Sequence, residues 1–177
     1  MKTKNIKTIL EDSISKQIKS LEELKNNMEI TFLATLEIKD VGTCNKGALS
    51  HLENGITTIY IIKSDEKIDY TTVSKERKNL TEKKFQMAEI NDTNWKDDKN
   101  KENCVYVGRS GKIKERLGQH LFLERETTYA LRLKKLFKRG KIFIDLYQCE
   151  NESNEVQIFE DLLWDYYKPL FGKQGKK

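Results

Sequence analysis

Arg116 and His120 stand four residues apart beside an apolar stripe formed by Ile113, Leu117 and Leu121. At helical spacing the two side chains lie one above the other at the edge of that stripe. Packing can hold them there while they still meet a ligand. A planar guanidinium suits a phosphate or another oxyanion, and an imidazole can move a proton near neutral pH. Tyr60 and Tyr106 fall in strand-like segments, Thr57 to Lys63 and Cys104 to Val107. On adjacent strands both hydroxyls could point at one phosphate. With a pKa of about 10, a tyrosine is a poor base unless neighbours stabilise its phenolate; Arg109 or a metal could do so, and His120 is the simpler base. Glu160 is the sharpest case. At about 100° per residue on a helix, Val156, Leu163, Trp164 and Tyr167 fall within about 60° of it, and Phe159, Leu162 and Tyr166 continue the arc. A carboxylate inside an apolar arc is costly unless it is paired or bound to a metal, and Arg116 could pair it. Each residue also has an ordinary role: a snorkelling arginine, a packing histidine, core tyrosines and a buried ion pair.

The elements that must position these groups are readable from periodicity. Residues 6 to 27 carry Ile6, Ile9, Leu10, Ile14, Ile18, Leu21 and Leu24 at helical spacing. Ile30 to Ile38 alternates as a strand, and Thr57 to Lys63 is β-branched and aromatic. Cys104 to Val107 is a strand ended by Gly108. Helices are expected near 112–123 and 127–138, a strand over Ile142 to Tyr147, and a last helix from Ser153 to Tyr167, stopped by Pro169. This order is α+β. Residues 64–102 are polar and nearly balanced in charge. They are expected to be an insertion with a short helix around 75–87 and a loop over 91–103, set beside a rigid core. Its removal should leave that core folded while changing site preference or oligomeric state, since Arg77 and Trp95 are of the kinds that read bases or anchor a partner; a mobile surface loop with no role is the ordinary alternative.

With 177 residues, 37% of them apolar, the chain can bury one real core. No run approaches the length of a membrane helix. Three cysteines without paired spacing fit free thiols in a reducing cytoplasm and provide no zinc site. The net charge of +5 matters less than its distribution. From Asn103 to Lys141 eleven basic residues face three acidic ones, whereas Ile142 to Asp165 has seven acidic residues and no basic one. A phosphate-binding surface beside a cation site would have this pattern, as would two solvated helices of opposite sign. The residues that would touch a nucleic-acid backbone are Arg109, Lys112, Lys114, Arg132, Lys134, Lys135 and Lys138.

Tyr106-Val107-Gly108, with Arg116 at +10 and His120 at +14, resembles the GIY-YIG nuclease family. Thr58-Ile59-Tyr60 is similar to the family's first motif, with Thr in place of the usual Gly. Glu160, nine residues before Pro169, resembles its catalytic glutamate. The likeness covers roughly residues 57 to 172. Two further departures are a gap of 46 residues between Tyr60 and Tyr106 and Gly172 where an Asn often stands. The resemblance implies a small three-stranded antiparallel sheet flanked by helices. It divides the chain into an N-terminal extension, 1–56, and a nuclease core, 57–177, interrupted by the 64–102 insertion. It also implies a metal-dependent endonuclease acting on DNA, with RNA left open: Glu160 would hold one Mg²⁺ or Mn²⁺, Arg116 would neutralise the pentacovalent phosphorus, Tyr106 would position the phosphate, and Tyr60 or His120 would deprotonate water. Restriction, repair and mobile-element roles, a homodimer and an inactive nucleic-acid-binding module with the same fold all remain compatible.

Overall fold

The computed structural model describes residues 29–173, apart from Lys84, 123–126, Lys138 and 151–152, together with Ser15, Lys16, Ile18, Lys19, Glu22 and Asn26. Those six are helical; the rest of the helix expected over 6–27 lies outside the described residues.

The protein is α+β, built on one antiparallel sheet. Its strands are β1 (Ile30–Ile38), β2 (Thr58–Ser64), β3 (Cys104–Ser110) and β4 (Ile142–Cys149), in the spatial order β1-β4-β2-β3. The sheet thus has four strands rather than three, because β1 pairs along its length with β4, from Ile30 opposite Cys149 to Ile38 opposite Ile142. The strand within 1–56 is therefore part of the sheet. β2 is central, and Thr58 to Ile62 are buried on both faces, which explains its unbroken apolar run. β3 runs on to Ser110: Gly108 does not stop it but pairs with Tyr60.

The helices are α1 (Tyr70–Glu82), α2 (Asp92–Lys96), α3 (Ile113–Leu121), α4 (Leu133–Leu136) and α5 (Ser153–Tyr167). One sheet face, with Tyr60, Ile62, Val105, Ile144 and Leu146, packs into the main core with Ile113, Leu117, Leu121, Leu133 and Leu136. The other face, with Ile59, Ile61, Cys104, Val107 and Cys149, is covered by Val156, Phe159, Leu163, Trp164 and Tyr167 of α5. The apolar arc expected around Glu160 is narrower than its sequence implies, since Leu162 and Tyr166 stay half exposed. The helix expected over 127–138 shrinks to α4, because Ala130 bridges to Met87 and Arg132 adopts a left-handed conformation, φ 57°, just before it.

The insertion differs most from expectation. Its helix begins earlier, at Tyr70, where Asp69 caps it by accepting the Thr72 N–H at 2.7 Å. Val73, Leu80, Met87 and Ala88 belong to the main core. Arg77 donates to the Ala88 carbonyl. The Trp95 indole N–H donates to the Leu170 carbonyl, and its ring packs edge-on against Phe171. Asn94, also buried, donates to the Pro169 carbonyl. Leu170 and Phe171 in turn donate to the carbonyls of Cys104 and Val105. The insertion thus clamps the strap after Pro169 against the edge of β3. Excising 65–101 would open the core, so the expectation of a dispensable excursion is corrected; Trp95 is half-buried and turned toward this strap.

Candidate active site

Strand register sets the site's basic geometry. Tyr60 opposes Gly108 and Ile62 opposes Tyr106, so both tyrosines lie on the main-core face. Their rings stack, with centroids 6.0 Å apart. A side chain at residue 108 would be impossible without repacking: a Cβ there would lie 2.5 Å from the Tyr106 ring and 2.7 Å from the Tyr60 hydroxyl. The Gly of Tyr-Val-Gly is therefore required by the tyrosines that cross it.

Two turns of α3 bring Arg116 and His120 onto this pair. His120 is fully buried, 4.7 Å from the Tyr106 ring centroid. Its Nδ1 accepts the Leu131 N–H at 3.2 Å, and its Nε2 lies 3.0 Å from the Tyr60 hydroxyl. An accepting Nδ1 requires the neutral ring to carry its proton on Nε2 and to donate to Tyr60. Burial, reinforced by Arg116 and Arg132, holds the His120 pKa well below its usual value. Both ring nitrogens are thus committed, Nδ1 as acceptor and Nε2 as donor. His120 is not the simple base it resembles in sequence but a neutral donor that orients Tyr60.

Arg116 is half-buried beside both tyrosines, each of which acts on its charge, and its Nη1 donates to Gln119 Oε1 at 3.1 Å. Burial would lower its pKa, but the tyrosines outweigh that and keep it cationic. Burial pushes the fully enclosed Tyr60 well above the ordinary phenol range, Tyr106 adds to this, and Arg116 opposes it. Tyr106 and Arg116 line a cleft of about 390 Å³ together with Glu89, Tyr129, Gly172 and Lys173. Gly172, φ 99°, stands where a Cβ would come 3.0 Å from the Tyr106 ring. An Asn here would be strained and would crowd that ring, so the departure from the family pattern has a local reason.

Glu160 approaches from the other face, on α5. It pairs with Arg109, whose Nε is 3.2 Å away, while another Arg109 nitrogen donates to Gln157 at 2.9 Å. Arg109, not Arg116, is thus its ion-pair partner. Burial raises the Glu160 pKa and Arg109 lowers it; Arg116 is close enough to lower it further, and Glu160 in turn acts on Tyr60. The five expected catalytic residues therefore form one electrostatic neighbourhood at the β3 side of the sheet.

The expected backbone-contact residues scatter. Lys112 and Lys114 are exposed, and the Lys114 amine reaches the Ser50 carbonyl at 3.2 Å. Lys135 is exposed, and the Lys134 amine is held at 2.8 Å by the Cys44 carbonyl. Arg132 is fully buried, donating to the Thr128 and Gln86 carbonyls beneath the Phe85 ring, so the expectation that it meets a phosphate backbone is corrected. Lys138 lies outside the described residues. Sequence reading missed Gln157 and Tyr129. Gln157 is signalled only by its place one turn before Glu160; Tyr129 is hidden by the expected helix over 127–138.

No protein family, curated protein or solved structure matches the chain.

Proposed function

We propose that this protein is a metal-dependent endonuclease of the GIY-YIG type, hydrolysing phosphodiester bonds, with DNA as the first substrate to test. One observation carries the reading: Arg116 and Tyr106 stand together at the wall of a cleft, with Tyr106 stacked on Tyr60 and a buried neutral histidine orienting Tyr60 from behind. Such a preorganised cation recognises charge that develops on a phosphoryl group and needs little reorganisation when it does.

Glu160 would hold a divalent cation. Among the described residues no three His, Cys, Asp or Glu side chains converge as a metal cage. A single carboxylate suits Mg²⁺, which keeps several waters and takes its remaining ligands from substrate phosphates. Bound there, the ion would supply Lewis-acid polarisation of the scissile phosphate. Arg109 would orient the carboxylate, and Tyr106 and Arg116 would receive the phosphate oxygens. Tyr60, whose raised pKa keeps its proton, and His120 behind it would act as positioning residues rather than as bases. Exposed Lys112, Lys114 and Lys135 would add sequence-independent attraction.

Supercoiled plasmid and a matched RNA, incubated with Mg²⁺ and then with excess EDTA, test the reading. Nicking that EDTA stops is expected. Salt-sensitive binding without any nicking would favour the module without turnover, to which the already paired Glu160 gives some support.

A further inference from the structure

Tyr129 is the most exposed large apolar side chain among the described residues, at 63%. It lines the same cleft as Tyr106 and Arg116, and it lies close enough to Lys173 to influence that amine. Lys173 pairs with Glu89 at 2.8 Å, and both are exposed. The cleft is therefore divided chemically. Arg116 and the Tyr106 hydroxyl attract a phosphate. The Glu89 carboxylate repels one, yet it can accept a hydrogen bond from the exocyclic amine of a base. Tyr129 adds an open aromatic face, on which any base can stack.

In a paired duplex each base face is covered by its neighbours. A ring in this position meets a base only where a nucleotide is unpaired or turned out of the stack. We infer that Tyr129 is a base-stacking platform that makes nucleic acid with an unpaired nucleotide beside the scissile phosphate the preferred substrate. This rests on the nuclease reading above. Tyr129 is a specificity residue: it touches the base and leaves the hydrolytic groups untouched.

The full chain is assayed on a paired DNA duplex and on the same duplex with a short central loop of adenosines, one replaced by 2-aminopurine. The unsubstituted protein should cut at the loop faster than in the duplex. Tyr129→Ala should lower kcat/KM on the loop roughly tenfold or more relative to the duplex, while Tyr129→Trp should retain the preference. Equal losses on both substrates, equal losses in the Ala and Trp variants, or an unchanged loop-to-duplex ratio in Tyr129→Ala would each overturn the inference. If neither substrate is cut, the nuclease reading fails, and 2-aminopurine emission then decides the stacking separately. Quenching on binding that disappears in Tyr129→Ala supports it; identical emission with both proteins overturns it.

Discussion

Two cation–carboxylate clusters occupy the α5 face of the sheet at opposite ends of β2, and they differ instructively. At one end Lys63 lies 2.9 Å from Asp145 and 2.7 Å from Glu102, beneath the Tyr167 ring. At the other Arg109 holds Glu160, with side-chain exposures of 29% and 21%. Lys63 has two carboxylates; burial would lower its pKa, but their hydrogen bonds raise it, so its charge is secured. The Glu160 pKa is also raised, but for a carboxyl the consequence for charge is the opposite: burial outweighs Arg109 and the group ionises reluctantly. A second cation, Arg116, and the Tyr60 hydroxyl also act on Glu160's surroundings. In the first cluster two carboxylates secure one ammonium. The second leaves a carboxylate in want of further positive charge, which is the condition under which a cation would be welcome.

Substitutions should separate the two ends. Glu160→Gln is expected to abolish metal-dependent cleavage while Asp145→Asn leaves the rate within a few-fold; plasmid nicking under identical Mg²⁺ checks both. Equal activity in the two variants would erase the contrast. Arg116→Ala should cost about 10²–10³-fold in kcat, against little change for Lys134→Ala, measured by single-turnover cleavage. Comparable losses would deny Arg116 its role.

Stability should show the reverse order. Asp145→Asn leaves Lys63 short of a half-buried partner and should cost about 1–2 kcal/mol, read by urea unfolding. Glu160→Gln should be neutral or stabilising at pH 7. The sign follows from the raised pKa: the protonated form is favoured on folding. That contribution is therefore present below the ordinary carboxylate range and is lost as pH rises through the elevated folded value. The Tm of the variant relative to the parent should rise from acid to neutral pH; a constant difference would show that the shift is absent. A smaller effect sharpens the same point. Arg109→Gln removes the nearest group that lowers the Glu160 pKa, so the acid limb of the kcat/KM profile should move to higher pH. A limb that stays in place or moves down would assign it to another group.

Much of the site is legible in the chain because its signals are local. Tyr60 falls in a segment too β-branched and apolar to be anything but an interior strand. Arg116 and His120 are four residues apart, which one helix turn brings together whatever the rest does. The span of α5, Ser153–Tyr167, is visible from its period and from Pro169, before which Lys168 leaves the helix at φ 48°. The main-core location of Tyr106 and the need for Gly108 follow once β2 and β3 are paired.

What only the tertiary structure decided depends on partners far away in sequence. The burial of Arg132 requires the carbonyls of Gln86 and Thr128, and no periodicity distinguishes such an arginine from a solvated one. Pairing of β1 with β4 joins residues more than a hundred positions apart, such as Thr35 and Asp145. Glu160 could meet Arg116 or Arg109, and the register that sets Arg109 opposite Ile59, on the α5 face, selects the latter. The insertion reads as polar because its apolar residues are sparse. Yet Val73, Leu80, Met87 and Ala88 are the ones that close the core. Composition averages over a segment, whereas burial is awarded residue by residue, to whichever side chains the folded backbone turns inward.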